Sequence, residues 1–340
     1  MTDSDPGSVP RRLATVVLTW NGREDTLACL ESLREDGFPG PSDSVIVVDN
    51  GSDDGTEEAV RGGFPEARFV QTGANLGFSG GNNTGMRIAL EEGYRLVMLL
   101  NNDTLVPRGT LETLCRYMNE HERVGALQPM LLNDPERDRI DSLGQELFSL
   151  PGARDRGIGR HASEAPCEPE PIFGACAAAA VYRAEALSQS GLLDEDFFVL
   201  LEDVDLSFRL RLHGWEVHLL PSAAVFHKRG ISAQGEISGE KRYLLHRNIL
   251  ALAWRYWPAR YLLKYLPFLV KGWLWGALYA ARSGRWGRWA GLMKDSRRLR
   301  RTHRDNPAWR KIQEEWMQDL GFAYYWRKAG ERLTGRPAIP

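Results

Sequence analysis

The sequence is short of cysteine, and its N-terminus lacks the hydrophobic core that a signal peptide needs. The four cysteines among its 340 residues are scattered, with no CxxC pair: Cys29, Cys115, Cys167 and Cys176. This spacing argues against a zinc site and against a disulfide framework, so reduced thiols in a cytosolic compartment are expected. The polar opening segment, MTDSDPGSVPRR (1–12), is predicted to be a disordered leader.

The sequence also lacks an uncharged run long enough to cross a bilayer. Its most hydrophobic segment, 261–281, contains Lys264, Pro267 and Lys271, and the longest uncharged run within that segment, 272–281, has ten residues. A spanning helix needs about twenty. Aromatic and basic residues interleaved at this density are typical of a helix in the lipid headgroup region. The alternative is a helix packed on the rest of the protein, with its basic side chains in solvent.

The net charge of −2 conceals an uneven distribution. Residues 241–340 contain 22 Lys and Arg against 6 Asp and Glu, whereas residues 1–240 contain 21 and 39. Nine of the eleven Trp also follow residue 240. We therefore predict two regions, a domain over 13–240 and a basic, Trp-rich helical region over 241–340. No recognition motif accompanies the basic residues, so nucleic acid is not an expected partner.

Short apolar runs alternate with amphipathic stretches from residue 14 onward. Strands with both faces buried, joined by helices, indicate a parallel sheet in an α/β domain. Ligands of such sheets gather at the carboxyl ends of the strands. The predicted strands are 14–20, 44–50, 67–72, 94–101, 124–132, 174–183, 215–220 and 223–227, and the predicted helices are 26–35, 55–64, 81–92, 109–122 and 202–214.

Two segments behind these strands have the composition of binding loops. VVDNGSDDGT puts Asp49 at the end of a strand, where a carboxylate can accept a hydrogen bond from a ring N–H or a ribose hydroxyl. NLGFSGGNNTG (75–85) has glycines that let the backbone approach a phosphate, with a helix start behind them. It contains neither a Walker motif nor a GxGxxG fingerprint. Plain turns are the alternative for both segments.

Acidic residues and one histidine suggest metal binding and base catalysis. Asp103 in LLNNDT just follows a buried strand, so it can ligate Mg²⁺ or Mn²⁺ if a diphosphate and another side chain complete the coordination. His227 can supply that side chain, although a lone His is often structural. Glu202, Asp203 and Asp205 start a helix directly after FFVLL, as helix-dipole partners or as a general base at the edge of a cleft.

The order of the motifs is more specific than any one of them. VVLTWNG, VVDNGSDDGT, NLGFSGGNNTG, LLNNDT, GACAAAAVYR, FFVLLEDVDLSFRLRLHGW and VFH follow one another between residues 16 and 227. This series resembles the family 2 glycosyltransferases of GT-A fold, especially the bacterial rhamnosyltransferase-like branch, over residues 14–230. The resemblance implies an α/β fold with a Rossmann-like, mostly parallel nucleotide-binding sheet flanked by helices, and a C-terminal basic amphipathic helical region.

The resemblance also implies an activity. It is inverting transfer of a sugar, with rhamnose as one candidate, from a dTDP- or UDP-sugar to an acceptor hydroxyl, assisted by Mg²⁺ or Mn²⁺. The acceptor would be a growing cell-surface glycan or a lipid-linked saccharide. The enzyme would be cytoplasmic, in peripheral contact with anionic lipid at the inner face of the cell membrane.

The resemblance assigns roles to individual residues. Asp203 would be the general base, with Glu202 as the runner-up. Asp103 would bind the metal together with His227, because Asn101 replaces the first Asp of the family's DxD motif. The residues that would bind the nucleotide sugar are Thr19, Trp20, Asn21, Asp49, Asn75, Gly77, Gly80, Asn82, Asn101, Asn102 and Arg247. Those on the acceptor side would be Gly174, Ala175 and Cys176.

Two alternative functions stand beside the enzyme. A non-catalytic sugar-nucleotide-binding or scaffold protein with the same fold would bind donor without turnover. A nucleotidyltransferase also uses a nucleotide-binding α/β sheet, but the sequence argues against it, because no Lys- or Arg-bearing Gly-rich loop follows the first strand.

Overall fold

The computed structural model describes residues 11–228, 239–282, 291, 294–296 and 306–325. Residues 1–10 of the predicted leader lie outside this range. The described residues belong to two compact units, one within Met1–Gln145 and Asp155–Leu244, the other within Glu146–Arg154 and Leu245–Pro340.

The first half of the first unit is a parallel sheet with helices between its strands. The strands are β1 (Leu13–Thr19), β2 (Ser44–Asp49), β3 (Arg68–Gln71) and β4 (Leu96–Asn101), and the helices are α1 (Arg23–Glu35), α2 (Thr56–Gly63), α3 (Gly77–Glu91) and α4 (Thr110–Glu120). β1 pairs in parallel with both β2 and β4. Neighbouring residues of β2 belong to different core clusters, Val45 and Val47 to one and Ile46 and Val48 to the other. Both faces of the strand are therefore buried, as its continuous apolar run predicts.

The second half of this unit extends the sheet. Its elements are β5 (Thr104–Leu105), β6 (Val124–Asn133), β7 (Ile140–Ser142), β10 (Glu170–Pro171), β11 (Ala179–Arg183), α5 (Ala184–Ser190), α6 (Glu202–Leu212) and β12 (Glu216–His227). Two strands that come between β7 and β10 in the chain, β8 (Gln145–Phe148) and β9 (Ala153–Asp155), belong mostly to the second unit and to a separate small sheet. The main sheet has the order β10-β12-β6-β11-β4-β1-β2-β3, with β5 on β12 and β7 on β6. β11 is antiparallel to both β4 and β6, so the sheet is mixed.

Three predicted boundaries were wrong. Helix α3 starts at Gly77 and not near residue 81, so the Gly- and Asn-rich segment is mostly helix. The strand predicted over 174–183 is limited to Ala179–Arg183. The two strands predicted after residue 214 are one, β12, which pairs with β6 and has an irregularity between Leu220 and Ala224.

The glycines of α3 explain the first difference. A Cβ built on Gly85 would overlap the side chain of Val16 on β1, and one built on Gly81 would overlap that of Leu18. Both positions therefore let the helix lie closely on the sheet. This gain in packing outweighs the cost of about 1 kcal/mol that glycine brings to a helix interior.

The second unit is built from helices and three short strands. The helices are α7 (Gly239–Tyr256), which begins in the first unit, α8 (Ala259–Lys264), α9 (Leu266–Arg282) and α10 (Ala308–Trp316), and β13 (Met317–Gln318) completes a sheet of order β13-β8-β9. Trp257 and Tyr265 are fully buried. The indole N–H of Trp257 donates to the carbonyl of Phe148 over 2.9 Å.

The hydrophobic segment 261–281 is divided between two helices. α8 ends at Lys264 and α9 begins at Leu266, with Pro267 in its first turn. A proline is tolerated there because the first N–H groups of a helix have no acceptor within it. Neither α9 nor any other described helix combines the length and the hydropathy that a bilayer-spanning segment needs.

Candidate active site

The polar segments of the sequence meet at the carboxyl ends of β1, β2 and β4. Thr19 pairs in register with Asp49, and Leu18 pairs with Asn101. Parallel strands in this register bring TWNG, DNGSDDGT and NNDT to one edge of the sheet, as the sequence predicts.

At the end of β1, buried and exposed residues alternate. The Thr19 hydroxyl is buried and accepts from the Thr26 hydroxyl over 2.8 Å. Asn102 donates to Thr26 over 3.1 Å and to the Gly22 carbonyl over 3.3 Å, so its side chain holds α1 to this edge. Trp20, in contrast, is 57% exposed. Asn21, which follows it, is exposed as well.

Asp49 is fully buried at the end of β2. One carboxylate oxygen accepts from the Ser52 N–H over 2.9 Å and from its hydroxyl over 2.5 Å, and the other accepts from the Gln71 side chain over 3.1 Å. Asn21 accepts from the Asp53 N–H over 3.0 Å, which joins the loops after β1 and β2. Gln71 is a residue of this edge that the sequence reasoning missed.

The predicted donor loop is held by two asparagines. Asn50 accepts from the Leu76 N–H over 3.1 Å and donates to the Gly77 carbonyl over 2.9 Å, while Asn75 accepts from the Gly77 N–H over 2.8 Å. Gly77 has φ +73°, and a Cβ there would lie 2.5 Å from the ring of Phe198.

Two further predicted donor residues lie within α3. Gly80 is buried, and a Cβ there would meet the Leu76 side chain at 2.7 Å. Asn82, 1% exposed, donates within the helix to the Phe78 carbonyl over 3.0 Å. For both residues, the role in donor binding stays a prediction.

Asp103 and His227 lie side by side, although 124 positions separate them in the chain. Antiparallel pairing of β5 with β12 sets His227 opposite Thr104. The Oδ1 atom of Asp103 is 3.2 Å from the Nε2 atom of His227, and both side chains are mostly buried. On the other side of the ring, Nδ1 is 2.8 Å from the Oδ2 atom of Asp141. The sequence reasoning missed Asp141, because it reaches the ring only through the pairing of β7 with β6.

The donor set fits a divalent cation. Two adjacent ligands of an octahedral Mg²⁺, with bonds of about 2.1 Å, lie about 3.0 Å apart, close to the distance between Asp103 Oδ1 and His227 Nε2. Over the described residues, no three His, Cys, Asp or Glu side chains form a cluster suited to holding a metal. The part of the chain that the structure describes thus offers two ligands, and the remaining coordination would come from phosphate or water oxygens.

A strained loop delivers the acidic residues of α6. Phe198, Leu200 and Leu201 have φ of +64°, +75° and +69°, in a backbone region that residues other than glycine rarely adopt. Such residues cost on the order of 1–3 kcal/mol each and occur preferentially at functional sites. The loop is fixed from α3, since the Ser79 N–H donates to the Phe198 carbonyl over 3.1 Å.

Asp203 is half-buried and is held by backbone donors. Its carboxylate accepts from the N–H groups of Val204, over 2.8 Å, and Ala177, over 3.2 Å. Burial raises its pKa, and these two hydrogen bonds partly oppose the rise. Ala177 directly follows the predicted acceptor-side residues Gly174, Ala175 and Cys176. A Cβ on Gly174 would overlap Ser207 of α6, so glycine permits this close approach.

Glu202 and Asp205 have different environments from Asp203. Glu202 is 5% exposed, and its Oε2 atom has no hydrogen-bond partner among the described residues. Burial, and then the charge of Asp203, raises the pKa of Glu202 to about 8, so it is mostly protonated at neutral pH. Its role as the runner-up base stays a prediction. Asp205 is fully buried in an ion pair with Arg209 of 2.8 Å, which is a structural role.

Asp155 is a further acidic residue near the site that the sequence reasoning missed. Burial and the charge of Asp203 raise its pKa to about 6, while hydrogen bonds with Ser142 and Cys176 and the proximity of His227 oppose this rise. Asp155 therefore lies within electrostatic range of both Asp203 and His227.

Arg247, predicted to bind the nucleotide sugar, belongs to the second unit, where its Nε donates to Asn248 over 3.0 Å. Its predicted reach to the diphosphate stays a prediction.

Comparison with known proteins identifies a family for this chain. Residues 15–191 match the model of the family described as glycosyl transferase family 2. N-acetylglucosaminyl-diphospho-decaprenol L-rhamnosyltransferase of Mycobacterium tuberculosis is 31% identical over 208 residues, which cover 56% of this chain and 67% of that protein.

Two solved structures share the fold. One is the mannosyltransferase PcManGT of Pyrobaculum calidifontis in complex with GDP-Man and Mn²⁺, with a TM-score of 0.51, 17% identity and coverage of 97% of this chain and 89% of that one. The other is GalNAc-T7 with UDP, GalNAc and Mn²⁺, with a TM-score of 0.60, 12% identity and coverage of 99% and 59%.

These likenesses confirm the predicted GT-A fold and the predicted enzyme class, and they leave the alternative of a non-catalytic protein without support. The resemblance to a rhamnosyltransferase-like branch is confirmed as well. This chain belongs to glycosyl transferase family 2 and is a glycosyltransferase.

Proposed function

We propose that the enzyme transfers a sugar with inversion from a nucleotide-diphosphate donor to an acceptor hydroxyl, in one metal-assisted displacement. The observation that carries this proposal is the pairing of Asp103 with His227, whose Oδ1 and Nε2 atoms lie 3.2 Å apart at the spacing of two adjacent metal ligands. Asp155 lies within electrostatic range of both Asp203, the proposed base, and His227, the proposed metal ligand.

In the proposed reaction, the acceptor oxygen attacks the anomeric carbon on the face opposite the diphosphate. Asp203 takes the proton of the acceptor hydroxyl, a contribution of roughly 10²–10⁴-fold in rate. The bond from the anomeric carbon to the diphosphate breaks, and its electron pair leaves with the diphosphate. Asp103 and His227 would hold Mg²⁺ or Mn²⁺, which supplies Lewis-acid stabilisation of the leaving group.

The relatives suggest where to begin with substrates. The M. tuberculosis protein is named for rhamnosyl transfer to a diphospho-decaprenol-linked sugar, and the solved structures hold GDP-Man or UDP. We therefore propose a dTDP- or UDP-sugar donor, with rhamnose as the first sugar to test, and a lipid-linked saccharide or growing cell-surface glycan as acceptor.

Release of nucleoside diphosphate from a donor panel in Mn²⁺ tests the proposal. Donors are first ranked by the rise in melting temperature that binding produces. We expect turnover with at least one donor and its loss, by 10²-fold or more, in Asp203→Asn. The control is Asp196→Asn, which changes an exposed carboxylate in the segment that precedes α6. Full activity of Asp203→Asn, or retention of the anomeric configuration in the product, would contradict the mechanism.

We also propose that α8 and α9 contact an anionic membrane at its cytoplasmic face. Leu263, Leu266, Val270, Leu274 and Leu278 are between 45% and 71% exposed and recur every three or four residues, so they form an apolar face. Lys264 and Lys271 adjoin this face, and Lys271 lines the same shallow pocket as Val270. Exposed apolar side chains bordered by lysines are typical of a helix that lies in the headgroup region.

Co-sedimentation with liposomes tests this contact. Binding is expected with vesicles that contain phosphatidylglycerol, weaker binding with pure phosphatidylcholine, and loss of binding in the double variant Val270→Glu/Leu274→Glu. The control is Ile158→Glu, which places the same charge on an exposed apolar residue of the first unit. No sedimentation at low salt would instead favour a helix packed on protein.

A further inference from the structure

Asp141 is almost completely buried beside the ring of His227. Its side chain is 3% exposed, and its Oδ2 atom lies 2.8 Å from the Nδ1 atom of the ring. Three strands fix the two residues, since β7 pairs with β6 and β6 pairs with β12, with His227 opposite Asn133. Neither side chain is on a loop, so the contact is held by the rigid part of the sheet.

The contact decides which way the ring presents its second nitrogen. With Nδ1–H donated to the Asp141 carboxylate, the Nε2 lone pair points toward the Oδ1 atom of Asp103, 3.2 Å away. The side-chain nitrogen of Asn101 lies 3.5 Å from the same Nε2 atom, at the limit of a hydrogen bond. The shorter approach, between the lone pairs of Oδ1 and Nε2, is one that a proton or a cation between the two atoms would stabilise. A carboxylate behind a histidine also raises the basicity of the nitrogen that meets a metal.

We infer that Asp141 is a positioning residue that fixes the tautomer and the orientation of His227 for binding a divalent cation. The inference rests on the metal site of the proposed function. The competing explanation is a structural ion pair, in which a protonated His227 joins two carboxylates and binds no metal. The two explanations differ in what removal of Asp141 does to metal affinity.

Mn²⁺ binding to the full-length protein distinguishes them, with free Mn²⁺ measured by its EPR signal in the presence and absence of UDP. We expect Asp141→Ala to weaken Mn²⁺ binding 10- to 100-fold, as carboxylates behind metal-bound histidines do. Asp141→Asn keeps an oxygen that accepts from Nδ1, so a smaller loss is expected. Asp138→Asn, an exposed carboxylate three residues earlier, should leave the affinity unchanged.

A kinetic measurement separates positioning from general damage. In Asp141→Ala, raised Mn²⁺ should restore nucleoside diphosphate release, whereas Asp203→Asn should stay inactive at every Mn²⁺ concentration. If Asp141→Ala is unfolded at the assay temperature, Asp141→Asn provides the same test, with a smaller increase in the Mn²⁺ concentration that activity requires.

Variants of the ligands identify which claim fails. If His227→Ala and Asp103→Asn weaken Mn²⁺ binding but both Asp141 variants bind like the wild type, the role of Asp141 is overturned and the metal site stands. If none of the variants changes Mn²⁺ binding, the metal site is overturned, and the role of Asp141 with it.

Discussion

Replacing Glu202 by Gln should remove most of a fall in stability that the wild type shows as pH rises. The buried carboxyl has its pKa raised from 4.5 to about 8, first by burial and then by the charge of Asp203. Between these two values the unfolded chain has released the proton and the folded protein keeps it, so wild-type stability falls as pH rises. A difference of 3.5 pKa units lowers the free energy of unfolding of the wild type by roughly 5 kcal/mol between the lower and the upper end of this interval.

Gln has nearly the same shape as the protonated acid and does not ionise. We therefore expect the difference in stability between Glu202→Gln and the wild type to be constant only below about pH 4, where the carboxyl is protonated in both the folded and the unfolded wild type. The variant should then gain relative stability steadily up to about pH 8, by as much as roughly 5 kcal/mol. The pKa of Asp203 is also raised, so the stability of both proteins keeps a smaller dependence on pH.

Urea unfolding at half-unit steps from pH 5 to pH 9 measures this trend. Glu195→Gln is the matched control, because hydrogen bonds from Asn83 and then Arg87 lower the pKa of Glu195. The stability that this carboxylate contributes is fully present above its unfolded pKa of 4.5, so its removal should cost a constant amount of stability from pH 5 to pH 9. A stability difference between Glu202→Gln and the wild type that is the same at every pH would refute the reasoning.

Two further predictions concern the thiols and the packing of α3. At pH 8 the native protein should react rapidly with a disulfide reagent at one thiol, that of the exposed Cys167. The other three thiols should react slowly, because burial raises the pKa of Cys29 and Cys115 to about 12 and that of Cys176 well above its usual value. A fast phase that survives in Cys167→Ser would contradict this. Gly85→Ala should lower the free energy of unfolding by about 1–3 kcal/mol through overpacking against Val16. The control, Gly62→Ala in α2, meets nothing within 4 Å and should be neutral or slightly stabilising, and equal effects of the two substitutions would show that packing on β1 is not the cause.

The sequence was most informative where apolar runs end in polar residues. The ends of β1, β2 and β4 are marked in this way, so TWNG, DNGSDDGT and NNDT could be placed at one edge before the fold was known. The order of the motifs then indicated which carboxylates and which histidine belong together.

The rest of the site depends on contacts that are distant along the chain. Asp141 stands in an ordinary short strand, and only the β7–β6–β12 pairing brings it to His227. The left-handed residues Phe198, Leu200 and Leu201 have no glycine or asparagine to signal them. The glycines of α3 were misassigned for a related reason, since close packing on a strand and a flexible loop favour the same residue.

The position of β12 has a consequence for synthesis of the protein. This strand lies between β10 and β6, and it ends in His227. A ribosome releases it after every other strand of the main sheet. Until then the ten-residue strand β6 presents one edge with unpaired backbone groups, the kind of edge that recruits strands from other chains. The step that completes the proposed metal site is therefore also the one that protects the nascent chain from aggregation.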